Sequence, residues 1–168
     1  MDSIQYKVGD KIVDFGRVYN IFKIEGNSKS GTKIIYFRPY YTSKKDCGLT
    51  CSIPVKNLEK TNIRKPISKK RMKKILSILA TRISYTQDPI EITDAKEVLG
   101  INRTGKTAKV LKKLWYEKQD ESINFTRSKE NTFKHLIERL SEEIAYAGDF
   151  SLEIAEVKIR KALKKSLS

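Results

Sequence analysis

Residues 53–79 read IPVKNLEKTNIRKPISKKRMKKILSIL, and the fold turns on this stretch. Pro54 and Pro66 punctuate it. Proline lacks an N–H and biases the residue before it away from the αR region, so no helix can begin before Ser68. From Ser68 the pattern changes. Ser68 is a good N-cap, and Met72, Ile75, Leu76 and Leu79 recur at the three-and-four spacing of one helix face. Lys69, Lys70, Arg71, Lys73 and Lys74 fall mostly elsewhere, which sets a buried stripe beside a cationic one.

Upstream of this junction the chain reads as short strands joined by turns. Gly9 and Asp10 precede KIVDF, Gly16 separates it from RVYNIFKIE, and the loop at 26–31 leads into TKIIYFRPYY. A further turn covers 42–48, after which Leu49, Cys51 and Ile53 alternate with Thr50 and Ser52, the period of a strand with one face on a core. Four or five strands in about sixty residues suggest a small, strongly bent sheet or SH3-like barrel. Tyr19, Phe22, Tyr36, Phe37, Tyr40 and Tyr41 are expected mostly to fill that core rather than to form a base-stacking platform.

Downstream, no strand pattern of comparable strength returns. The first helix is expected to end near Ala80, with a loop from Ser84 to Pro89 and a shorter helix from Thr93 or Asp94 to Gly100. A polar turn at 102–105 precedes a helix from Lys106 to about Glu121. Another follows from Arg127 to Ala147 with Thr126 as cap, and a last one from Leu152 to about Leu167 with Ser151 as cap. Trp115 is expected in the helical core. The expected class is therefore α+β: a strand module over residues 1–60 followed by an all-α bundle of about five helices over residues 61–168.

Composition narrows the function. The 168 residues contain no apolar run of membrane-spanning length, and MDSIQYKVGDK has neither the basic nor the apolar region of a secretion signal, so a cytoplasmic protein is expected. In a strand, Cys47 and Cys51 would lie roughly 13 Å apart at ~3.3 Å per residue. A disulfide needs about 4.4–6.8 Å between Cα atoms, so two reduced thiols are expected, with Cys51 buried. A C-x3-C pair with His135 as the sole histidine offers no metal site.

Charge carries more information. The net charge is +15, and it is uneven. Residues 1–60 hold eleven Lys and Arg against six Asp and Glu, residues 61–113 hold fourteen against four, and residues 114–168 hold ten against ten. The middle third thus carries most of the excess, which points to a polyanionic partner there.

Gly100 to Thr107, GINRTGKT, satisfies the phosphate-loop pattern in full, with Lys106 and Thr107 in the nucleotide-holding positions. That chemistry needs a buried strand before the loop and a parallel sheet around it. Here AKEVL reads as helix, so nucleotide hydrolysis is disfavoured. Arg103 and Lys106 at a helix start suit a DNA backbone instead.

Three segments together resemble the CarD/CdnL family of bacterial transcription regulators: YKVGDKIV at 6–13, GLTCSIP at 48–54 and NIRKPIS at 62–68. TG at 104–105, VLKKLW at 110–115 and LSEEIAYA at 140–147 look like the family's later helices. The resemblance implies a non-enzymatic factor without cofactor, metal or small-molecule substrate. A Tudor-like domain would dock on the β subunit of RNA polymerase, and a helical domain would hold double-stranded promoter DNA beside the melted region. It implies polymerase contacts at Asn27, Lys29 and Ser52, the last commonly arginine in the family. It further implies a DNA wedge at the position of Glu91, commonly tryptophan there, with Ile90, Ile92 and Tyr85 as apolar alternatives. Lys96 matches a basic family position. Arg103, Lys106, Lys109, Lys112 and Lys113, with Lys69, Lys70 and Lys73, are expected to meet phosphates with little base reading. A monomer is expected. The alternative is a general nucleic-acid-binding module with no polymerase partner.

Overall fold

The computed structural model describes residues 5–82 and 88–168. Four strands, β1 (Lys11–Asp14), β2 (Arg17–Gly26), β3 (Lys33–Pro39) and β4 (Cys51–Pro54), pair antiparallel in the order β1-β2-β3-β4. Five helices follow: α1 (Lys69–Ala80), α2 (Ile92–Ile101), α3 (Thr104–Gln119), α4 (Arg127–Gly148) and α5 (Leu152–Lys165). The class is α+β. The sheet differs from a closed SH3-like barrel: among the described residues β1 and β4 do not pair, so it is an open meander. The outer edge of β1 is taken instead by the backbone of Arg64, which exchanges hydrogen bonds with Val13 at 2.7 and 3.2 Å.

Asp14 pairs with Arg17 in register, so β1 and β2 are joined by two residues, Phe15 and Gly16. Both have positive φ, 47° and 73°, as a tight hairpin twisted in the sense of its strands demands. Gly16 is doubly constrained, because a Cβ there would lie 2.9 Å from Leu99 Cδ2. A register shift between Ile21 and Lys23 bends β2 and turns the sheet over its own apolar cluster of Ile12, Ile21, Ile35 and Phe37. Phe37 fills that cluster, Tyr19 and Tyr36 are half-buried, and Tyr40 is exposed. Cys51 is half-buried and Cys47 exposed, both free.

The helices enclose a second apolar cluster that includes Met72, Ile75, Leu79, Leu111, Leu114, Phe133, Ile137, Ile144, Ile159 and Leu163. Trp115 packs on it, stacked against Phe133 with ring centroids 6.0 Å apart. The N-caps of α1, α4 and α5 are those expected. The hydroxyls of Ser68, Thr126 and Ser151 accept from the N–H groups of Arg71, Lys129 and Ile154. Ser68→Ala should therefore cost about 1 kcal/mol in a chemical denaturation midpoint series, and Ser68→Asp should cost little.

The two clusters meet across a polar seam. Val13 and Val18, fully buried at the hairpin, present backbone groups to the helices. Asn102 Nδ2 donates to the carbonyls of Val13 and Asn62, both at 2.7 Å, and its Oδ1 accepts from Gly16 N–H. Glu142 Oε2 accepts from Val18 N–H at 2.9 Å. Glu143 is held bidentately by Arg64 at 2.6 and 3.0 Å and also accepts from Ile67 N–H and the Thr104 hydroxyl. Arg64 reaches back to the Asn102 carbonyl at 2.6 Å. Arg17 clamps Asp46 bidentately and donates to the Tyr41 carbonyl.

That clamp sets an acid limit. The hydrogen bonds from Arg17 hold the Asp46 carboxyl well below its ordinary 3.8. A carboxyl depressed in the folded state contributes stability that is present above 3.8 and lost as pH falls through its folded value. Asp46→Asn should therefore unfold with a shallower acid limb below about pH 4, with the neutral-pH baseline lowered, in a circular dichroism titration.

Candidate nucleic-acid interface

The buried face of α3 is Thr104, Thr107, Ala108, Leu111 and Leu114. Three- and four-residue spacing then forces Lys106, Lys109 and Lys113 onto the opposite side, one stripe about 10 Å long. No ion pair among the described residues involves any of the three. The contrast with α4 is informative. There Lys129 pairs with buried Glu117 at 2.6 Å, and Lys134 and Lys118 share Glu130. Lys129 and Lys134 of α4 are thus paired, whereas Lys106 and Lys109 are exposed and Lys113 half-buried, none with a carboxylate partner among the described residues.

α1 lies alongside. Arg71 reaches α3, its Nη2 lying 3.2 Å from where a Cβ on Gly105 would sit. Lys112 Nζ donates to the Ile78 carbonyl at 2.9 Å, in the last turn of α1. The ammonium of Lys112 is thus engaged by the negative end of α1, and burial lowers its pKa. Lys112 is a helix-to-helix tie, which corrects its expected place among the phosphate contacts: its position on α3 points toward α1 rather than outward.

Arg71 and Lys74, one turn apart, flank the α3 stripe, and neither stood among the expected contacts. Lys70 is exposed on the outer face of α1. Lys69 and Lys73, also exposed, fall on the side of α1 turned from α3, where α1 packs against α5. The KKRMKK run announces the charge, but nothing local to it says which flank α3 will occupy.

Arg103 is exposed and stands at the N-terminus of α3. Lys96 is elsewhere: it lines a cleft with Phe15, Arg17, His135 and Arg139 between the β1–β2 turn and the α2 and α4 helices. Among the wedge positions, Ile90 packs on the helical core and its N–H donates to Glu117, Glu91 is exposed ahead of α2, and Ile92 is half-buried. Ile90 is held in place, which removes it as a free wedge. Tyr85 lies outside the described residues.

The phosphate-loop match spans the end of α2, a left-handed cap at Asn102 (φ 55°) and the start of α3. No strand precedes it. The Asn102 side chain plugs the turn, and the N–H groups of Lys106 and Thr107 donate to the Arg103 carbonyl, so none of these groups is free to cradle phosphate. On the sheet, Asn27 and Lys29 occupy the β2–β3 loop, where Asn27 Oδ1 accepts from Lys29 N–H. Ser52 is exposed on β4, paired with Tyr36. β4 has no second strand partner among the described residues, whereas β1 is covered through the Val13–Arg64 bridge.

No helix among the described residues is long and apolar enough to cross a membrane. No family model matches the chain, and no curated protein is significantly similar to it.

Proposed function

We propose that the chain is a non-enzymatic adaptor of the cytosol that leans the α1–α3 face on duplex promoter DNA and docks its strand module on the RNA polymerase β subunit, modulating open-complex stability. The observation that carries this reading is the unpaired stripe of Lys106, Lys109 and Lys113, flanked by Arg71, Lys74 and Arg103. Cations without carboxylate partners lose little on meeting phosphates and release counterions when they do. Within this reading the meander is a Tudor-like domain left open between β1 and β4. The β4 edge, which has no second strand partner among the described residues, supplies the protein contact by strand addition, with Ser52 and the neighbouring loop of Asn27 and Lys29. The resemblance to CarD/CdnL regulators names the partner. Stacking by a family-type tryptophan is absent, since the exposed Glu91 repels phosphate.

A promoter footprint with polymerase, with and without the full chain, tests both halves together. Added protection upstream of the melted region that requires polymerase, and lengthened open-complex lifetime, are the expected results. Protection that is identical without polymerase would move the chain to the general nucleic-acid-binding alternative, and no protection under either condition would remove the DNA contact altogether.

A further inference from the structure

The cleft that holds Lys96 is not explained by the duplex face. Its volume is about 520 Å³, within the range of small-ligand sites, and among the described residues its wall includes Arg17, Lys96, His135 and Arg139 but no Asp or Glu. Two features set it apart from an ordinary surface furrow. Phe15 stands at its lip with φ 47° and 60 % exposure, although tight hairpin turns place Asn or Gly there and a bulky residue at positive φ is a backbone outlier. The fold thus keeps the phenyl ring mostly exposed, with its Cε1 edge beside Gly100 of α2, against local preference. Arg17, only 9 % exposed, has its two terminal nitrogens on Asp46 and the Tyr41 carbonyl but an Nε with no hydrogen-bond partner, Glu142 Oε1 lying 3.6 Å away.

The charges around the cleft do not balance. Asp46 and Glu142 face Arg17 and Arg139, and Glu142 also accepts from Val18 N–H. Glu138 lies 3.9 Å from His135 Nδ1 on the outer rim of α4. Lys96 is left in excess, on the side where Phe15 is exposed. An inorganic anion alone would leave the ring unused, and an apolar ligand would leave the ammonium unpaired. A flat ring carrying a phosphate uses both, stacking on the aromatic face and pairing with the cations.

We infer that this cleft takes a nucleoside phosphate, its base against Phe15 and its phosphate against Lys96 and Arg139, with Asn131 available to the base edge. The nucleotide could come free or as an unpaired unit of a single strand. Calorimetric titration of the full chain with AMP, inorganic phosphate, adenosine and a short oligo-dA separates these sources. AMP is expected to bind more tightly than phosphate or adenosine. Phe15→Asn suits the left-handed turn and so keeps the fold, yet should weaken binding about five- to a hundredfold, the worth of one base stack. Lys96→Gln should weaken AMP but not adenosine. The combined Lys106→Gln, Lys109→Gln, Lys113→Gln variant should bind AMP as the parent does, which separates this site from the duplex reading. Failure of AMP with Phe15-dependent binding of oligo-dA assigns the site to a single strand. No saturable binding by either AMP or oligo-dA, saturable AMP binding that is no tighter than phosphate, or binding indifferent to Phe15→Asn and Lys96→Gln overturns the inference.

Discussion

Arg64→Ala will destabilise the chain by about 3–5 kcal/mol, read as a fall in the denaturant midpoint at neutral pH. The reason is the partner left behind. Glu143 is 2 % exposed, so losing the guanidinium leaves a carboxylate in a dry site with only Ile67 N–H and the Thr104 hydroxyl to satisfy it. The same change orphans the Asn102 carbonyl, while the backbone bridge between Arg64 and Val13 stays in place. Breaking one half of a buried pair is costly because the other charge stays buried, whereas removing both together is not. Arg64→Leu with Glu143→Leu should accordingly lose less than Arg64→Ala alone. A double variant that loses the full sum of the two single changes would show that Arg64 and Glu143 act independently, against the geometry of the seam.

The second large effect concerns nucleic acid. Replacing Lys106, Lys109 and Lys113 together by glutamine should lower duplex affinity by about two to three orders of magnitude near 0.1 M salt, because each lost phosphate contact removes roughly 0.9 from the slope of log K against log salt. Anisotropy measured over a salt series gives both quantities. The slope should flatten by about 2.7, and parent and variant should converge toward molar salt. Lys112→Gln is the internal comparison, since its ammonium is bonded to the Ile78 carbonyl. It should alter stability more than slope. Equal slopes for the parent and the triple variant would place any duplex contact on another face.

Much of the architecture was legible locally. The spacing of Met72, Ile75 and Leu79, the hydroxyls at 68, 126 and 151, and the alternation at 51–53 all reflect interactions within a turn or two of chain, whereas Leu49, expected on the inner face of that strand, is exposed ahead of it. The second and third helices were less legible. Gly100 looked like a stop, but the helix runs on to Ile101 and the left-handed cap is Asn102. Asparagine was chosen there for three long-range hydrogen bonds to Val13, Gly16 and Asn62, partners 40 to 89 residues away. Glu142 and Glu143 likewise look like solvent-facing residues in LSEEIAYA, yet both are buried because the hairpin and Arg64 bring donors to them.

The candidate site divides the same way. That the chain carries a dense positive segment between residues 61 and 113 was decided by composition, and that Lys106, Lys109 and Lys113 share a helix face was decided by their spacing. Which of the remaining cations join them was not. Helix packing turned Lys112 inward to α1, brought Arg71 and Lys74 beside the stripe, and carried Lys96 around to a separate cleft next to Phe15. Residue order by itself set most strand and helix segments, the hydroxyl caps at 68, 126 and 151 and the sign of the charge, since these depend on neighbours within a few residues. Only the tertiary structure chose which charges are paired, which are buried and which are free, because that depends on groups brought together from distant parts of the chain.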